Sequence, residues 1–119
     1  MAKKKYRKIL CFDLDGVICK TNKNYYIKSV PIKKNIRLIN KLFLDGYYIK
    51  IYTARGMGSS NDRVGIARKV HYDLTIRQLK RWKVKFHKIF FGKISYDLLV
   101  DDKALFFNNK WNNYLRKKL

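Results

Sequence analysis

Four places in this chain carry residues whose types and spacing suit phosphoryl chemistry: Asp13 with Asp15, Thr53, Lys93, and Asp101 with Asp102. All eight acidic residues are Asp, and half of them fall in the two tight pairs, in a chain of net charge +21. Like charges this close repel one another unless a cation sits between them. A hard, oxygen-liganded ion such as Mg²⁺ suits carboxylates brought together from two strand ends, and Asp13 and Asp101 are the candidate ligands. A phosphate monoester needs a nucleophile, a proton donor for the leaving oxygen and positive charge on the phosphoryl oxygens. Asp15 lies two residues past Asp13, where it reaches a different part of the site and is placed to protonate a leaving group and then activate water. Thr53 offers a hydroxyl, and the loop after it, Ala54-Arg55, offers backbone N–H groups to phosphoryl oxygens. Lys93 offers a fixed positive charge, with Lys88 and Lys103 as its fallbacks.

The elements that must position these residues are legible from periodicity. Residues 9–13 form a short apolar run, read as a buried strand that stops at the turn signal Asp13-Leu14-Asp15-Gly16. Cys11, inside that run, is read as a core residue. Residues 17–30 read as a loop or small hairpin. A helix is expected from Pro31, with Ile36, Ile39, Leu42 and Phe43 at helical spacing and Asp45-Gly46 at its end. Tyr47 to Tyr52 is the second strand. Residues 62–83 are expected as helix in two pieces, Thr75 capping the second and Leu79 and Trp82 turned to the core. Ile89-Phe90-Phe91 is a third strand, Tyr96 to Val100 a fourth, and Phe106, Phe107, Trp111 and Tyr114 belong to a closing helical segment. Short apolar strands alternating with helices imply an α/β fold, a three-layer parallel sheet with helices on both faces. In such sheets ligands collect at the carboxyl ends of the strands, where Asp13, Thr53, Lys93 and Asp101/Asp102 all fall.

Composition narrows the classes. With 47% hydrophobic residues the chain is expected to fold rather than stay disordered. Residues 1–8 read as a basic arm and 9–119 as one domain. No apolar run approaches the ~20 residues that cross a bilayer, and no signal peptide is read. Two cysteines, Cys11 and Cys19, do not make a disulfide scaffold, so both are expected reduced and the protein cytoplasmic. The pI near 10.2 favours anionic partners, and nucleic acid is one candidate; a proteome rich in Lys, Asn, Ile and Tyr is the other explanation of the charge. His71 and His87 lack metal-ligand spacing and are read as structural or surface residues. Trp82, Trp111 and the tyrosines are read as core and interface. Alone, Asp13-Leu14-Asp15 also reads as a turn, or as the metal-binding DxD of a glycosyltransferase, which normally has a much longer chain.

The run Phe12-Asp13-Leu14-Asp15-Gly16-Val17 resembles the first motif of the haloacid dehalogenase superfamily. Ile51-Tyr52-Thr53 resembles its second motif, Lys93 after a strand its third, and Leu98-Leu99-Val100-Asp101-Asp102 its fourth, in the family's order across residues 9–107. The resemblance implies a Mg²⁺-dependent phosphatase in which Asp13 becomes an aspartyl-phosphate and ligates the metal. Asp15 would be the general acid/base and a ligand through its backbone carbonyl. Thr53 would hold the phosphoryl group and Lys93 would neutralise it. Asp101 would ligate Mg²⁺, and Asp102 would ligate it or hold it through water. An acid at Asp15 favours ester hydrolysis, since the superfamily's dehalogenases lack one there. Only residues 17–30 and 56–87 are available for a cap, which implies a capless member that admits large substrates or borrows a lid from a second copy. Thr53-Ala54-Arg55-Gly56-Met57 and Phe91-Gly92-Lys93 are most similar to small capsule and lipopolysaccharide biosynthesis phosphatases, which points to a sugar phosphate; nucleotides or nucleic-acid ends are the alternative substrates, and a non-catalytic binding domain the remaining one.

Overall fold

The computed structural model describes residues 5–119, so positions 1–4 of the expected basic arm lie outside the described residues. In chain order the elements are β1 (Ile9–Asp13), β2 (Cys19–Lys20), a 3₁₀ turn (Tyr26–Lys28), β3 (Val30–Pro31), α1 (Lys33–Leu44), β4 (Tyr48–Thr53), α2 (Val64–Arg81), β5 (Lys88–Phe91) and α3 (Trp111–Lys118). Strands β1, β4 and β5 form a parallel sheet in that spatial order, and β2 and β3 form a small antiparallel hairpin. The α/β class and its parallel sheet are as expected. The register sets Phe12 beside Ile51 and Thr53 beside Phe91, so all three strands end at one edge.

Period-two alternation shows in β4, where Ile49, Ile51 and Thr53 are buried and Tyr48, Lys50 and Tyr52 only half-buried. Ile36, Ile39 and Leu42 from α1, Leu79 from α2 and Trp111 from α3 join Phe12, Ile49 and Ile51 in one cluster. Each fully buried aliphatic side chain contributes about 1.5–3 kcal/mol. On the opposite face of the sheet Ile9, Cys11 and Phe90 are exposed. Cys11 is therefore not a core residue: its register partner is Lys50, on the less covered face. An unbroken apolar run predicts burial on both faces, and here the described helices feed the cluster on Phe12's face.

Three further expectations are corrected. Helix α2 is continuous, and Thr75 is a buried interior residue rather than a cap. Residues 96–100 form no strand; Leu98 is 84% and Val100 93% exposed. An apolar run signals a strand only if a neighbour supplies ladder partners, and among the described residues this stretch has none. The expected helix start at Pro31 also moves, because Pro31 pairs with Cys19 in the hairpin and α1 begins at Lys33.

Candidate active site

The three strand ends are stitched together by the backbone. Leu14 N–H donates to Tyr52 O at 3.2 Å, and Lys93 N–H donates to Thr53 O at 3.2 Å. Gly92 makes the last turn possible: it has φ +109°, and a Cβ there would meet Val64 of α2 at 3.0 Å. That turn brings Lys93 Nζ to 3.1 Å from Asp13 Oδ2. Burial pushes the Asp13 carboxyl above its ordinary value, against the opposing pull of Lys93 and the Leu14 N–H. Burial opposes the charge on Lys93, yet the Asp13 carboxylate, helped by Tyr96, leaves its pKa raised.

Asp15 sits in a second, denser network. Arg55 Nε donates to Asp15 Oδ2 at 3.0 Å and Arg55 NH2 to Oδ1 at 3.0 Å, a forked contact that fixes the carboxylate plane. Thr21 Oγ1 donates to Oδ1 at 2.5 Å. Oδ1 is thus loaded with donors, while among the described residues Oδ2 takes only the Arg55 Nε contact. Arg55 itself is 1% exposed. Its NH1 donates to Thr75 Oγ1 at 3.1 Å and to Gln78 Oε1 at 2.6 Å, and its guanidinium lies 4.8 Å from the Tyr26 ring centre. The chain folds back this tightly because Gly56 has φ +78°, where a Cβ would meet His71 at 2.6 Å and Ala67 at 3.0 Å. Burial, with Asp15 beside it, pushes the Cys19 thiol up to about 11. Burial and the Arg55 charge hold His71 below its ordinary value.

The structure therefore brings Asp13 to Lys93 and Asp15 to Arg55. Thr53 is fully buried, and its Oγ1 accepts from Arg55 N–H at 3.1 Å while keeping its own hydrogen to donate. Ala54 is half-buried just past β4. Arg55, expected to offer its backbone N–H to phosphate, gives that N–H to Thr53 Oγ1, and its guanidinium faces inward, committed to Asp15, Thr75 and Gln78. Asp101 and Asp102 are exposed and are not gathered with Asp13: no group of three or more ligating side chains forms among the described residues. The sequence reading missed Thr21, Thr75 and Gln78. Its one available signal was that Thr75 and Gln78, three apart, share the helix side of buried Leu79, where a polar pair needs a buried partner. His87 proves structural: Nδ1 accepts from Ile49 N–H at 3.0 Å, and the ring stacks 4.4 Å from both Phe43 and Tyr48.

Solved structures share this fold. A structural-genomics target from Vibrio cholerae superposes with a TM-score of 0.76 at 24% identity, covering 94% of this chain and 99% of that one. D,D-heptose 1,7-bisphosphate phosphatase from B. bronchiseptica, solved with magnesium and phosphate, superposes at 0.51 with 13% identity, over 93% of this chain and 63% of that one. The fold is haloacid dehalogenase-like. A component of the Pnkp1/Rnl/Hen1 RNA repair complex matches at 0.55 with 12% identity, over 98% of this chain but only 34% of that one. No protein-family model and no curated protein sequence matches the chain. No helix among the described residues is long and apolar enough to cross a membrane.

Proposed function

We propose that residues 9–119 are one catalytic domain, a phosphatase that hydrolyses a phosphate monoester through an aspartyl-phosphate on Asp13. The observation that carries this reading is the pairing of Asp13 with Lys93 at 3.1 Å, at the edge where Asp15 is held by Arg55. An Asp13 oxygen bonds to phosphorus as the ester P–O bond breaks, and Asp15 gives its proton to the leaving oxygen. A water oxygen then bonds to the same phosphorus, its proton goes to Asp15, and Asp13 is released. Oδ2 is the Asp15 oxygen suited to both transfers, since Oδ1 is saturated. Lys93 moves from Asp13 toward the phosphoryl oxygens, and the Thr53 hydroxyl with the backbone N–H of Ala54 offers donors to them. Arg55 acts as a positioning residue for Asp15.

Magnesium belongs to this proposal, supported by its presence in the heptose bisphosphate phosphatase of the same fold. Mg²⁺ takes one or two carboxylates and otherwise keeps water. Half-buried Asp13 fits that minimum, and the Asp15 carbonyl, Asp101 and Asp102 would be the further ligands. When bound, the ion supplies charge against the phosphoryl oxygens.

The substrate we favour is a small phosphorylated metabolite such as a sugar phosphate, in the cytoplasm, with a second copy of the chain as the lid. A nucleic-acid terminal phosphate is the second reading, favoured by the +21 charge and by the likeness to a component of an RNA repair complex. Phosphate release from sugar phosphates, nucleotides and end-phosphorylated oligonucleotides, with Mg²⁺ and with EDTA, tests the reading. Release that needs Mg²⁺ and is lost in Asp13→Asn supports it, and the preferred class names the substrate. No release from any of them by the folded protein overturns it.

A further inference from the structure

Helix α1 begins at the active-site edge and runs away from it. Its first turn is tied to the loop after Asp15, because Ile32 N–H donates to Ile18 O at 2.8 Å and Asn35 Nδ2 donates to Val17 O at 2.7 Å. Two open grooves flank this helix. The first, of about 230 Å³, lies between α1 and α3 and is walled by Lys34, Arg37, Lys41 and Arg116. The second, of about 420 Å³, lies between α1 and the end of α2 and is walled by Lys33, Arg37, Arg81 and Lys83, with half-buried Trp82 beside them. No carboxylate lines either groove. Arg37 belongs to both. Among the described residues Lys41 alone of these cations has an acidic partner, Asp45 at 3.7 Å.

We propose that the grooves flanking α1 bind the phosphodiester backbone of single-stranded nucleic acid and lead its end toward Asp13. Lys34, Arg37 and Lys41 recur at helical spacing on the exposed side of α1, opposite Ile36, Ile39 and Leu42. They span about 10 Å at ~1.5 Å per residue, so together they face more than one phosphate of a strand. Lys34 and Arg37 in this row lack an acidic partner among the described residues, and Trp82 lines the neighbouring groove that shares Arg37; cations with an aromatic ring near them are the physical requirement for sequence-tolerant strand binding. Like charge disfavours a second copy of this chain as the occupant. The inference deepens the second substrate reading above and rests on the phosphatase proposal only for what happens at the strand's end.

The test is fluorescence anisotropy of labelled single-stranded DNA and RNA of about 12 nucleotides, inside the ~4–16 nucleotide range of such sites. With three to four phosphates neutralised, affinity should fall roughly 20- to 50-fold between ~50 and ~200 mM salt. Lys34→Glu with Arg37→Glu should weaken binding at least about tenfold and flatten the salt slope by about 1.4. The same charge change at exposed α2 sites, Lys69→Glu with Arg77→Glu, should alter binding less than about threefold. The single variants Lys34→Ala and Arg37→Ala give the same comparison if the double reversal fails to fold. Equal weakening by the α2 pair would mean that net charge alone binds the strand and would overturn the proposal. Absence of oligonucleotide binding, including the case where phosphatidylserine vesicles bind instead, would overturn it too. Hydrolysis of p-nitrophenyl phosphate should be the same in wild type and the α1 pair. Strand binding lost in the α1 pair, with no phosphatase activity in any variant, would leave the grooves standing and remove the phosphatase reading.

Discussion

Two regions of this molecule carry its acidic pairs, and they are built in opposite ways. Asp13 and Asp15 leave the end of a paired strand, and each meets a cation at about 3 Å. Asp101 and Asp102 follow an apolar stretch that pairs with nothing among the described residues, and the nearest bond to Asp101 comes from Lys103 N–H at 2.8 Å. The difference teaches that a carboxylate is held in place when its backbone is fixed by a sheet and its oxygens by nearby donors. Adjacency in sequence does neither.

The largest effect that sharpens this contrast is at Asp13. Asp13→Asn should lower phosphate release by at least about 10³-fold with the melting temperature nearly unchanged, because in the proposed reaction this group makes the covalent attack. Steady-state kinetics with a thermal melt read both. Arg55→Ala should come next. It leaves Asp15, Thr75 and Gln78 without their common partner, costing about 3–5 kcal/mol of stability and roughly 10²-fold in rate. Denaturant unfolding measures the first and kinetics the second; an Arg55→Ala protein of wild-type stability would show that the buried network holds nothing.

In the second region the expected changes are small. Leu98→Ser should shift stability by less than about 0.5 kcal/mol, whereas Ile51→Ala in the core should cost about 2–5 kcal/mol. A loss at Leu98 comparable to that at Ile51 would break the comparison by placing the stretch inside the folded core. The smallest effect is chemical. Exposed Cys11 should take up iodoacetamide at pH 8 well before Cys19, which is buried and whose pKa is pushed up to about 11, and mass spectrometry of the two peptides would order them.

The same contrast marks what the sequence discloses. Strands β1, β4 and β5 and helix α1 follow from local period and turn residues, but Lys93 meets Asp13 only because the parallel sheet brings the ends of β1 and β5 to one edge. Arg55 and Asp15 lie 40 residues apart, and nothing local to either announces their fork. Thr75 has the residue type of a cap, so its hydroxyl was assigned to a helix start when a buried guanidinium takes it. Cys11 and residues 96–100 share one error: hydrophobicity states that a segment seeks cover and does not state that cover exists. The +21 charge is legible at once, but the grooves that concentrate part of it around Arg37 exist only after α1 packs beside α3 and the end of α2.

The most direct test of the central claim is an acid quench of Asp15→Asn during turnover of a substrate the wild type hydrolyses, followed by peptide mass spectrometry. The expected result is one added phosphoryl group on the peptide containing Asp13, absent from Asp13→Asn. A phosphoryl group on another residue, or none while turnover continues, would contradict the account.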